Sequence, residues 1–123
     1  MSYLIQHAAR RPVSAPRSRG ARVDECLRLN RRVFDGGAFV RVFVEDTSRR
    51  MIRFRSRPPV PRLRLRIGDC VNQVNLEFSV ESAELRDNAL FKLDTLLGAL
   101  ERFRHGLEVE AHLFAEREAK QRR

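Results

Sequence analysis

Arg53, Arg55 and Arg57, then Arg62, Arg64 and Arg66, hold alternate positions on the two sides of a proline-rich break, "PPVP". A guanidinium is a planar, permanently charged fork whose N–H groups match phosphate oxygens two at a time. A period of two is that of a β-strand, whose successive side chains point to opposite faces. Six arginines at this spacing describe an anion-binding sheet surface. Arg41 shares its phase with Phe39 and Phe43, and Arg28 and Arg32 recur one segment earlier. Aromatic rings on a basic sheet are stacking platforms for single-stranded bases, worth about 1–3 kcal/mol per base.

Other reactive residue types give weaker patterns. Glu101, His105, Glu108 and His112 follow at spacings of four, three and four, one stripe of a helix. Carboxylate and imidazole ligands on a helix can build a metal site when a second set converges on them. No second set is present, so no metal is expected. Cys26 and Cys70 lack a histidine neighbour that would activate a thiolate. Gly36–Gly37 is followed by neither the helix nor the lysine of a phosphate-binding loop. The expectation is a protein without catalytic residues or cofactors.

Charge separates along the chain. The 123 residues carry 25 basic side chains, 23 of them arginine, and a formal charge of +9. Residues 1–67 hold 17 arginines against 5 acids, whereas residues 68–123 hold 8 basic and 11 acidic residues. A GC-rich genome would explain the choice of arginine over lysine, but not its concentration in one half. A basic half points to a polyanion: nucleic acid, an anionic membrane or an acidic protein face. No run approaches 18 apolar residues, so no transmembrane helix is expected. Two cysteines make no disulfide framework, which fits reduced thiols and a cytoplasmic protein. Residues 1–22, with Pro12, Pro16 and Gly20, read as a basic, disordered arm. That segment is free of acids, so a mitochondrial transit peptide is the minor alternative.

The elements that must position these residues follow from turn signals and periodicity. Residues 23–123 read as one α+β domain, with a sheet over 23–81 and a helix over 82–121. "DGG" at 35–37 predicts a tight hairpin between strands at 26–34 and 38–46. "TSRR" turns into a third strand, 51–57. "PPVP" is a loop before a fourth strand, 62–67, and Gly68–Asp69 turns into a fifth, 71–81. From Ser82 the apolar period becomes three and four: Ala89, Leu93, Leu96, Leu97, Leu100, Phe103, Leu107, Ala111 and Phe114. Ser82 caps this helix and Glu84 suits its dipole. A helix over 83–119 would be about 55 Å long against about 20 Å for a strand. It is expected either to bend or break near His105–Gly106 or to use its overhang between subunits.

The expected fold is thus a four- to five-stranded antiparallel meander followed by one long helix packed on its apolar face. That face collects Leu27, Leu29 and Val33, then Val40, Val42 and Val44, Ile52 and Phe54, Leu63, Leu65 and Ile67, and Val74, Leu76, Phe78 and Val80. The other face collects Arg28, Arg32, Phe39, Arg41, Phe43, Met51, Arg53, Arg55, Arg57, Arg62, Arg64, Arg66, Asn75 and Glu77. Like charges opposite one another across strands repel, and a polyanion relieves that repulsion. In element order alone this arrangement is similar to the single-strand-binding transcription-cofactor and Whirly folds. The functional expectation is non-catalytic binding of single-stranded DNA or RNA. The alternative is an assembly subunit whose arginine face docks an acidic protein and whose helix mediates oligomerisation. Leu107, Leu113 and Phe114 lie beyond the reach of a strand-length sheet, so a homodimer is expected through them.

Overall fold

β1 (Ala21–Arg28), β2 (Phe39–Glu45), β3 (Leu63–Gly68) and β4 (Gln73–Leu76) pair antiparallel in chain order as a meander. One long helix, α1 (Ala83–Gln121), follows. The computed structural model describes residues 20–34, 36–48 and 58–122. Strand and helix form separate units that divide between Glu81 and Ser82.

β1 begins at Ala21, inside the segment read as an arm, and ends at Arg28 rather than continuing to Phe34. Its register sets Leu27 opposite Val40 and Val23 opposite Val44. An extra residue at Arg22 bulges this edge strand, and Arg22 forms an ion pair with Asp46 at 3.2 Å. Bulges and charges protect an exposed edge from pairing with another chain. The tight hairpin is absent. A loop over 29–38 is closed instead by Leu29 N–H to Ala38 C=O at 2.9 Å, with a turn from Arg31 to Phe34. Leu29 and Val33 lie outside the sheet, and Val33 is 80% exposed.

β2 pairs directly with β3: Val40 with Ile67, Val42 with Leu65, and Val44 with Leu63. The expected third strand, with Ile52, Phe54 and Arg53, Arg55 and Arg57, lies outside the described residues. β4 is shorter than expected, and Phe78 and Val80 follow it in non-strand backbone. The turn into β4 is closed by Asp69, whose carboxylate accepts the N–H groups of Asn72 (2.7 Å) and Val71 (2.8 Å). Those bonds, Asn72's first, hold its pKa below the ordinary 3.8.

In the helix, Ser82 Oγ accepts the N–H of Leu85 at 3.1 Å, as a capping serine should. α1 runs unbroken through His105 and Gly106, about 58 Å in length. A glycine inside a helix costs about 1 kcal/mol relative to alanine, too little to end one of 39 residues.

Candidate nucleic-acid interface

One face of the sheet carries Val23 and Leu27, Val40, Val42 and Val44, Leu63, Leu65 and Ile67, and Val74 and Leu76. The opposite face is the candidate interface. Its central row sets Cys26, Arg41, Arg66 and Asn75 side by side on β1 to β4. The next row holds Asp24, Phe43 and Arg64, and beyond it Glu45 lies beside Arg62. On the other side of the central row stand Arg28, Phe39, Gly68 and Gln73.

Arg41 and Arg66 are directly opposite one another, the like-charge pairing expected of the face, although between different strands. Each has a local partner. Arg66 Nε donates to Asn75 Oδ1 at 2.8 Å, and an Arg41 Nη lies 3.7 Å from Asp24 Oδ1. Arg41 Nε is shut off from solvent and has no acceptor among the described residues. Glu45 is 8% exposed, and its carboxylate accepts the backbone N–H of Arg62 at 2.9 Å. Its other oxygen is 3.9 Å from Arg62 Nε. Glu45 therefore extends the β2–β3 ladder and orients Arg62 more than it neutralises the face.

Both phenylalanines are half-buried within this face. Phe39 seats its ring on Gly68: a Cβ built there would lie 2.7 Å from Phe39 Cε1. Aromatic rings commonly cover cross-strand glycines in this way. Phe43 carries the Arg62 guanidinium over its ring, 5.6 Å from the centroid. Such a cation–π contact fixes the charge above an apolar base. At the β3–β4 edge, Arg64, Arg66, Asn75 and Glu77 border a depression of about 330 Å³ with Leu63, Leu65, Leu76 and Phe78.

The sheet thus gathers seven of the expected residues: Arg28, Phe39, Arg41, Phe43, Arg62, Arg64 and Arg66. Arg32 is not among them, because β1 has ended and the residue lies in the exposed 31–34 turn. Arg28 reaches that turn, donating from Nη2 to Phe34 C=O at 3.0 Å. Arg53, Arg55 and Arg57 lie outside the described residues. Asp24, Gly68 and Gln73 join the face without having been anticipated, and Asn75 stands on it as expected. The signal for Asp24 was available: a β1 that buries Val23 and Leu27 together must turn Asp24 to the arginine side.

The helical stripe of acids and histidines does not converge. His112 pairs with Glu116 at 3.0 Å and Arg104 with Glu108 at 2.7 Å. No group of three or more His, Cys, Asp or Glu among the described residues could hold a metal ion. Cys26 and Cys70 are exposed free thiols, and Cys70 lies in the β3–β4 turn. Its sulfur accepts the N–H of Gly37 at 2.9 Å, tying the long loop to the sheet. No helix among the described residues is long and apolar enough to cross a membrane. Leu107 and Phe114 are 58% and 68% exposed on α1, and Leu113 is half-buried. Compared with protein-family models, with characterised proteins and with solved structures, the chain matches none.

Proposed function

We propose that the protein binds single-stranded nucleic acid, without catalysis, through the arginine face of its sheet. The observation that carries this reading is the central row, where Arg41 and Arg66 face one another with Arg64, Arg62 and Arg28 on the same side. Bringing five guanidiniums onto one face costs mutual repulsion that Asp24 and Glu45 only partly offset. A phosphate backbone supplies the missing counter-charge. Phe39 and Phe43 lie among these charges: an unpaired base can stack on the Phe39 ring seated over Gly68, and on the Phe43 ring once Arg62 turns from it to a phosphate. Single strands fit better than duplex because α1 is the only helix among the described residues, and it holds eight acids against six basic residues. A helix of that charge does not enter a groove lined with phosphates.

The Arg62–Phe43 contact favours a second reading, an arginine face that docks an acidic protein partner, because Arg62 already covers the ring. Fluorescence anisotropy with nucleic-acid-free protein and labelled single-stranded DNA, single-stranded RNA and duplex separates the two. Single strands bound more tightly than duplex support the nucleic-acid reading. No binding to any of them at low salt overturns it.

A further inference from the structure

Along α1, Ala89, Leu93, Leu96, Leu100, Phe103 and Leu107 repeat at spacings of four and three, the seam of a two-stranded coiled coil. The seam carries one charge on each flank: Arg86 precedes Ala89 by three residues, and Glu110 follows Leu107 by three. Leu93, Leu100, Phe103 and Leu107 are all more than a third exposed, Leu96 is half-buried, and Ala89 at the end of the seam is already buried within the chain. Exposure of this kind does not itself identify an occupant. The two flanking charges do.

In a parallel pair of identical helices each seam residue meets its own copy. Arg86 would face Arg86, Glu110 would face Glu110, and both ends of the leucine block would repel. In an antiparallel pair centred on Gly98 the residues cross over. Ala89 meets Leu107, Leu93 meets Phe103, Leu96 meets Leu100, and Arg86 meets Glu110, each twice by symmetry. Sliding one helix by a heptad in one direction sets Arg86 against Arg117 and Glu110 against Leu93. Sliding it in the other sets Arg86 against Phe103 and moves Glu110 past the start of the partner helix. Only the centred register matches unlike charges and leaves the apolar block intact. Just outside the seam it also brings Leu85 against Leu113.

We propose that α1 pairs antiparallel with α1 of a second copy of this chain, centred on Gly98 and locked at each end by Arg86 and Glu110. The overlap covers residues 83–113, about 45 Å. Leu107 and Leu113 belong to this interface. Phe114 lies at its margin, opposite the partner's helix cap. This inference concerns the helix alone and does not rest on the nucleic-acid reading of the sheet.

The test is a charge swap in the full chain, read by sedimentation equilibrium. Arg86→Glu and Glu110→Arg each turn two attractions into two repulsions and should weaken the dimer roughly tenfold or more. The double swap should return it to within about threefold of the parent, since both attractions are restored in reverse. Residues 86 and 110 are about 36 Å apart along one helix, so the rescue can act only between copies. Arg86→Glu places a negative charge in the first turn, where the helix dipole favours it, so the helix itself survives. With Cys26→Ser and Cys70→Ser as background, Ala99→Cys should form an intermolecular disulfide and Leu93→Cys should not. A monomeric parent chain, single swaps without effect, a double swap that fails to recover, or cross-linking through Leu93→Cys in place of Ala99→Cys would each overturn the proposal.

Discussion

Arg41 and Arg66 stand directly opposite one another in the sheet, whereas the arginine–carboxylate pairs of the helix and its C-cap join unlike charges four residues apart: Arg104 with Glu108, and Glu118 with Arg122. The helix neutralises its charge locally, and pairs of that kind contribute about 0.3–0.5 kcal/mol each while keeping the surface hydrated. The sheet pools one sign on one face and satisfies it only in part, through Asp24, Asn75 and Glu45. Charge interleaved along a surface keeps a protein in solution. Charge of one sign collected on a flat face beside aromatic rings calls for a partner.

The largest effect should come from reversing the pooled charge. Arg64→Glu combined with Arg66→Glu should weaken single-strand binding by about 100-fold at moderate salt, because two phosphate contacts become repulsions. The melting temperature should hold or rise, since Glu at position 66 would face Arg41 favourably. A fall in stability to match the fall in binding would mean that the arginines act as structure.

Replacing Phe39 and Phe43 by leucine keeps the charge and removes the rings. Affinity should drop by about 30-fold, the low end of about 1–3 kcal/mol per stacked base for two rings, with the salt dependence unchanged. Gly68→Ala tests the seat of Phe39. A methyl group 2.7 Å from the ring must displace it, at about 1–3 kcal/mol of stability by urea unfolding.

On the helix the expected effects are smaller. Ser82→Ala removes the cap on Leu85 N–H and should cost about 1 kcal/mol of helix stability, with binding unchanged. Asp69 closes the β3–β4 turn only as a carboxylate, and its lowered pKa sets the sign. Its contribution is complete above the ordinary 3.8 and fades as the pH falls through the depressed value. Protection of the Val71 and Asn72 amides, measured against their intrinsic exchange rates, should therefore fall in acid, and Asp69→Ala should lack that protection at every pH.

Where one periodicity ran without competition, the fold was legible. "RLRLRI" became β3 with the expected faces, and the switch to spacings of three and four located α1 and its capping serine. The hairpin reading failed for a reason contained in the residues. A turn at 35–37 sets Phe34 opposite Ala38, which puts Arg28, Asn30 and Arg32 on the same face as Val44, Val42 and Val40. The observed register instead pairs Val23 and Leu27 with Val44 and Val40. Burial of the apolar face outweighed a favourable turn sequence, at the cost of a ten-residue loop and of leaving Glu25 beside Val42. The same shift removed Arg32 from the candidate interface and brought Asp24 into it. A period of two assigns each arginine a face, but the contacts that individualise them, Arg66 with Asn75 and Arg62 with Phe43, depend on cross-strand register. Local spacing does not encode register.

The most direct test of the central claim is the slope of log binding constant against log salt for a single-stranded oligonucleotide, compared between the parent chain and the Arg64→Glu, Arg66→Glu variant. Five guanidiniums, each neutralising a phosphate, predict a parent slope near about −3.5, at roughly −0.7 per contact for a single strand, and a markedly shallower slope in the variant. Equal slopes in the two proteins, or no binding by the parent at low salt, would contradict a phosphate-binding role for this face of the sheet.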